Sequence, residues 1–156
     1  MRTFKTYLIA ILIPLAVGGL AALLTRGNMM LFDEIVKPPL APPPILFPIV
    51  WTVLYILMGI GSARVYLKKD TMPREATNAL RTYALQLFFN FFWSLIFFNL
   101  RTFLFAFIWL IALWGLIIVM LFEFYKIDKP AAIINIPYLL WVTFAAYLNL
   151  AIYILN

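Results

Sequence analysis

Apolar runs of membrane-spanning length alternate with short polar breaks along this chain. The first run, about residues 7–24, follows Arg2 and Lys5. A basic start before an apolar run resembles a signal peptide, but roughly 18 apolar residues exceed the usual 7 to 15 of a signal core and suit a full span. A retained helix is therefore predicted, kinked at Pro14, with Gly18 and Ala22 as a close-packing face. Further helices are predicted at about residues 47–66, 78–98, 103–124 and 131–155, the second ending on the small pair Gly59 and Ala63 and the last bent at Pro137. The stretch LKKDTMPREAT, Leu67 to Thr77, reads as aqueous, and a tight turn falls around residues 99–102. The connection over residues 25–41 is long and polar, yet Met30, Leu31, Phe32 and Ile35 within it predict an ordered lid. The fourth helix is apolar all round, with Ala112 and Gly115 as its small contacts, and reads as lipid-facing scaffold.

Five spans and no alternating strand pattern predict an all-α membrane protein, a bundle of five transmembrane helices forming a single domain over residues 1–156. Counting Lys and Arg by side places nine with the N-terminus and the second and fourth loops, and three with the first and third loops and the C-terminus. The excess of cytoplasmic cations in membrane proteins then predicts the N-terminus cytoplasmic, the C-terminus external and the lid on the outer face.

Composition narrows the chemistry. The chain is 66% hydrophobic and 12% charged, too apolar for a water-soluble domain of 156 residues. It has no cysteine and no histidine, which excludes thiolate nucleophiles, Cys/His zinc sites and imidazole bases. Its net charge of +6 is spread between apolar runs and forms no stripe, so a juxtamembrane role is favoured and no nucleic-acid partner is expected. No charge falls in the middle of a span, which argues against proton relays and ion-coupled transport.

The stretch Lys37 to Gly59, KPPLAPPPILFPIVWTVLYILMG, is the most distinctive. Pro42, Pro43 and Pro44 make a stiff extended approach, and Pro48 fits only the first turn of the helix that follows. Phe47, Trp51, Leu54, Tyr55 and Met58 then recur on one helical face. A second stripe, Gln86, Asn90, Trp93 and Phe97 with Ser94 beside it, lies on the third helix, and a third, Tyr138, Trp141, Ala145 and Asn149, on the fifth. Singly, Asn90 and Asn149 suit interhelical hydrogen bonds. Together the three stripes would enclose an aromatic cavity with a few amide groups, the make-up of a site for a flat hydrophobic ligand with polar edges.

These residues also carry a resemblance. The pattern K-P-x-x-A-P-P followed by F-P-x-V-W-x-x-L-Y-x-x-M-G at Lys37 to Gly59 resembles the signature of the translocator protein / tryptophan-rich sensory protein family (TspO/MBR, the peripheral benzodiazepine receptor family). So do F-N-x-x-W-S-x-x-F-F at Phe89 to Phe98 and P-Y-L-x-W-x-x-F-A-x-x-L-N at Pro137 to Asn149. The resemblance implies a homodimeric, multi-pass protein of the cell membrane, a bacterial plasma membrane in this reading. It implies binding of porphyrins such as protoporphyrin IX and haem and of benzodiazepine-type drugs, with no cofactor required and the porphyrin as ligand. Membrane lipid is the other implied partner. By position, the family's ligand-contacting tryptophans resemble Trp51 and Trp141, its helix 3 amide Asn90 and its small helix 5 position Ala145.

The full set of ligand-binding candidates is Phe32, Pro42, Phe47, Trp51, Tyr55, Asn90, Trp93, Phe97, Tyr138, Trp141, Ala145 and Asn149. Two departures bear on the lid: Phe32 stands where the family usually has Tyr, and Leu40 where it has Trp before the double proline. Its C-terminal cholesterol pattern is absent, since no Lys or Arg follows Tyr147 or Tyr153; a loose match occurs at Leu121, Tyr125 and Lys129. The expected role is a receptor or sensory protein. Transport of tetrapyrroles or lipids, and light-dependent porphyrin breakdown with Trp51 and Trp141 as the reacting indoles, are the alternatives.

Overall fold

Helix is the only economical backbone for apolar runs this long, because it satisfies its own N–H and C=O groups. The computed structural model describes residues 2–156 and is all-helical. Helix α1 (Arg2–Thr25) is followed by a 3-10 turn, Arg26–Asn28, and a short α2 (Leu31–Glu34). Then come α3 (Leu46–Tyr66), α4 (Pro73–Ser94) with a π-turn at Leu95–Asn99, α5 (Phe103–Ile127), α6 (Lys129–Ile133) and α7 (Ile136–Leu155). Four helical stretches are long and apolar enough to cross a membrane: Arg2–Asn28, Leu46–Tyr66, Phe103–Ile127 and Lys129–Leu155. Helix α4 is as long, but Arg74, Glu75, Arg81, Gln86 and Asn90 make it the most polar of the long helices.

The third and fifth predicted helices differ from the sequence reading in where they begin or break. Helix α4 begins at Pro73, because proline suits the first turn and Glu75 complements the helix N-terminus there, so part of the stretch read as aqueous is helical. The last span breaks at Ile134–Asn135, and Pro137 lies in the first turn of α7, where its missing N–H costs nothing. Asn135 is fully buried at that break and donates Nδ2 to the carbonyls of Ala131 (2.9 Å) and Leu57 (3.3 Å), tying α6 to α3. At the far end of α4, the π-turn closes with Leu100 N donating to Leu95 O, one residue wider than an α-helical bond.

Close approach of α1 and α3 depends on glycine. A Cβ on Gly59 would collide with the Ile11 backbone, and one on Gly18 would enter the Tyr55 ring. Pro14 supplies no N–H to the Ala10 carbonyl, and that carbonyl lies against Gly59. Ala63 is fully buried as its spacing suggests, but Ala22 is exposed and takes no part in the contact. On α5 the small residues are not contacts either: Ala112 is exposed and a Cβ on Gly115 would meet nothing. The buried face of α5 is instead the seam Ala106, Leu110, Leu113, Ile117, Met120, Phe124 and Ile127, which recurs with the 3.5-residue period of helices packed side by side.

The polar contacts sort the bundle into two ends. At one, Arg2 and Thr3 line a cleft with Tyr66, Leu67, Lys69 and Asp70, and Arg64 pairs with Asp128 through two bonds of 2.5 and 3.3 Å. Asp128 also caps α6 by accepting from Ala131 N. Burial alone would raise the Asp128 carboxyl, but the hydrogen bond and charge of Arg64, with the Ala131 N–H, outweigh it and hold the group below its usual range. At the other end, Asn28 donates to Asn99 (2.8 Å), Asn99 to the Leu24 carbonyl (3.1 Å) and Arg101 to Glu34 (3.3 Å).

Candidate functional site

Proline stiffness delivers the first wall of the site. Residues 41–43 belong to no helix, Pro44 and Ile45 turn, and α3 starts at Leu46 with Pro48 in its first turn. Ahead of this, Ala41 N donates to Pro38 O across a turn in which Leu40 takes a φ of 71°, the left-handed region that glycine ordinarily fills at such a position. Leu40 is 80% exposed and forms no wall of the site. Pro42 stands in the stretch ahead of the turn at Pro44 and Ile45, half-buried.

From α3, the rings of Phe47, Trp51 and Tyr55 project inward as their spacing predicts. Trp51 stacks on Tyr55 with centroids 5.5 Å apart and meets Tyr138 of α7 edge-on at 6.2 Å. Phe47 meets Trp141 of α7 edge-on at 5.8 Å and, on its other side, Phe32 of the loop at 5.3 Å. The aromatic chain thus runs from loop to α3 to α7. Phe144 and Tyr147 continue it along α7, and the Tyr147 hydroxyl donates back to the Pro39 carbonyl in the loop at 2.7 Å. Asn156 completes the fastening: its Oδ1 accepts from Val36 N and its Nδ2 donates to Val36 O, both at 3.0 Å. Lys37 lies over the Phe32 ring at 5.3 Å, covering its outer face.

Beneath the rings is a polar spine. Tyr55 donates its hydroxyl to Asn90 Oδ1 at 2.8 Å, Asn90 Nδ2 donates to the Tyr138 hydroxyl at 2.8 Å, and Tyr138 donates onward to Gln86 Oε1 at 2.5 Å. Each buried group finds its complement, as burial in an apolar medium demands. Gln86 and Tyr138 are fully buried and Asn90 nearly so. Further along, Trp93 Nε1 donates to Asn149 Oδ1 (3.0 Å), and Asn149 Nδ2 to the Phe103 carbonyl (2.9 Å), joining α4, α7 and α5. Ala145 is buried in the main cluster with Tyr55 and Tyr138. Phe97 belongs to a second cluster with Leu31, Phe32, Ile96 and Ile152, and Trp93 packs against both.

Eleven of the twelve candidates therefore join in one aromatic and amide assembly, with Pro42 on its approach. Their rings pack on one another, so a guest among them must part Phe47 from Trp141 or Trp51 from Tyr138. The indole N–H of Trp141 is buried and, among the described residues, has no acceptor. That donor points to where a ligand's polar edge would be held. Gly18, expected as a close-packing position, admits the Tyr55 ring, and one support went unread in the sequence: Trp109 on α5, which stacks on Phe89 at 4.3 Å and donates to the Phe89 carbonyl beside Asn90.

Comparison with known proteins shows what the sequence is similar to. Residues 10–155 match the sequence profile of the TspO/MBR family. The chain is 36% identical over 156 residues to the tryptophan-rich protein TspO of Chlorobaculum tepidum, covering 99% of this chain and 98% of the other. It is 33% identical to the tryptophan-rich sensory protein of Cereibacter sphaeroides, over 94% of this chain and 86% of that one. The translocator protein of Bos taurus is also 33% identical, over 88% of this chain and 82% of its own.

Proposed function

Because the chain belongs to the TspO/MBR family and is a multi-pass membrane protein, we propose that it is a receptor or sensory protein for porphyrins and similar flat, hydrophobic molecules. The observation that carries this reading is a run of packed rings, Phe47 on Trp141 and Trp51 on Tyr55 and Tyr138, whose two tyrosines bond the buried Asn90 amide beneath a fastened loop. Such a site offers ring faces for stacking and a few fixed polar groups for orientation. In this reading all five long helices span, α4 included, since it too runs from the Arg64–Asp128 end to the Glu34–Arg101 end. The positive end faces the cytoplasm, the loop faces outward, and the protein forms a homodimer in a bacterial plasma membrane.

Titration of the purified protein with protoporphyrin IX in the dark tests the site. Trp51→Ala and Trp141→Ala each weaken binding by about thirtyfold, roughly 2 kcal/mol for a truncated, desolvated aromatic contact. Trp114→Ala leaves affinity unchanged, because that indole donates to Thr143 at 2.9 Å on an exposed flank. Ala145→Phe blocks the site with the fold intact. Equal losses in all four variants would count against this placement.

A second reading, light-dependent breakdown of the bound porphyrin, is favoured by the surroundings of one side chain. Trp51, an oxidisable indole, lies stacked on one tyrosine and edge-on to another.

A further inference from the structure

Between the start of α5 and the end of α7 lies an open groove of about 670 Å³, in the size range of small-molecule sites. Arg101, Thr102 and Asn156 form its polar rim, and Phe103, Phe105 and Tyr153 its apolar wall. No acidic residue lines it. Phe105 is 50% and Ile154 71% exposed, so in a membrane protein the groove opens sideways to lipid. We propose that this groove binds a single-chain fatty acid, carboxylate at Arg101 and chain along α5 and α7, and that its binding loosens the loop over the aromatic assembly.

Charge selects the head group. A guanidinium has five donors arranged to meet a carboxylate, and the partner of Arg101 is a carboxylate, Glu34, held by one contact of 3.3 Å between two exposed groups. An exposed pair of this kind is weak and readily exchanged. The shape selects the tail: one trough beside one cation suits one chain, whereas a phospholipid brings two. Methyl oleate shares the tail and lacks the charge, so it separates the two contributions.

The rim couples the groove to the loop. Arg101 and Asn156, the groove's polar residues, are also two of the residues that fasten the loop, at Glu34 and at Val36. A carboxylate in the groove draws Arg101 from Glu34 and turns the Asn156 amide out of both its bonds with Val36, whose N–H donates to Asn156 Oδ1 and whose carbonyl accepts from Asn156 Nδ2. Closed loop and filled groove therefore compete for the same donors, and the coupling is reciprocal. This inference does not rest on the porphyrin reading.

Native mass spectrometry of the full chain in detergent, with oleate, methyl oleate and dioleoyl phosphatidic acid as probes, tests the site. One oleate binds per chain; methyl oleate binds about tenfold more weakly, the scale expected for loss of a charge-assisted contact. Arg101→Gln brings oleate down to the level of methyl oleate. Ile154→Trp fills the trough and abolishes oleate binding with Arg101 intact, which keeps the proposal testable should Arg101→Gln unfold. Hydrogen exchange at the Val36 amide rises at least threefold, on the order of the 1 kcal/mol worth of one hydrogen bond, when oleate binds. Equal binding of acid and ester, preference of the groove for phosphatidic acid, or loss of a dimer in Ile154→Trp would each overturn the assignment. Oleate binding with unchanged Val36 exchange would overturn the coupling.

Discussion

Asn90 donates its amide to the hydroxyl of Tyr138 at 2.8 Å, joining the last turns of α4 to the start of α7 inside an apolar bundle. The same amide accepts from Tyr55, so one side chain bridges three helices. Interhelical hydrogen bonds in membrane proteins are worth about 0.6 to 2 kcal/mol each. Asn90→Leu therefore lowers stability by roughly 1–3 kcal/mol, allowing for the orphaned Tyr55 hydroxyl, while Tyr138 keeps its bond to Gln86. Tyr55→Phe, which removes one bond and leaves the Tyr138 pair, costs less. Unfolding of both variants in mixed micelles, followed by circular dichroism, checks the order, and a larger loss in Tyr55→Phe would contradict the bridge.

Glycine positions give a second contrast. Gly18→Ala drives a methyl group into the Tyr55 ring and costs about 1–3 kcal/mol, the usual range for overpacking. Gly115→Ala meets open space within α5 and gains up to about 1 kcal/mol from helix propensity. Thermal midpoints moving in opposite directions would bear this out.

The Arg64–Asp128 pair has a defined pH signature. A carboxyl held below its unfolded value stabilises the fold above that value, about 4, and loses its contribution as pH falls through the lower folded value. Wild type should lose thermal stability progressively below about pH 4. Asp128→Asn retains a side-chain oxygen to cap Ala131 but carries no charge, so it starts lower and stays flat through that window. A parallel fall in both proteins would assign the acid sensitivity to other carboxylates.

Orientation is tested by reporters. A fusion after Asn156 should report the external side and one within residues 68–72 the cytoplasm. The second reporter found outside would reverse the bundle and the side to which the loop opens.

Light chemistry is tested by substitutions that keep a ring but remove the indole. Should wild type convert protoporphyrin IX in light to a defined product, Trp51→Phe and Trp141→Phe reduce its formation at least tenfold while affinity falls less than about threefold, the loss of under 1 kcal/mol expected when an aromatic face remains. Equal bleaching by wild type, both variants and protein-free micelles would leave binding alone.

The faces of α3, α4 and α7 were legible because aromatics and amides stand out at helical spacing against aliphatic neighbours: Trp51, Asn90 and Trp141 are cases in point. The seam of α5 was not, since nearly every position there is apolar and Leu110 differs from Leu104 only in what covers it. Spacing assigns a residue to a face but does not say which faces meet, so the pairing of Trp93 with Asn149 and the seat of Tyr55 on Gly18 needed the packed bundle. The fastenings of the loop were equally hidden. Val36 and Pro39 contribute only backbone groups, which every sequence offers alike.

The break at Ile134–Asn135 divides the molecule mechanically. On one side, α1 and α3 meet backbone to backbone at Gly59 and have no slack between them. On the other, α7 is a lever: it carries Tyr138, Trp141, Ala145 and Asn149 along its length and, nearer its far end, the Tyr147 and Asn156 fastenings. A tilt of α7 pivoting at Asn135 would displace the distant fastenings more than the nearby Tyr138, so the loop would part from α7 before the polar spine is disturbed.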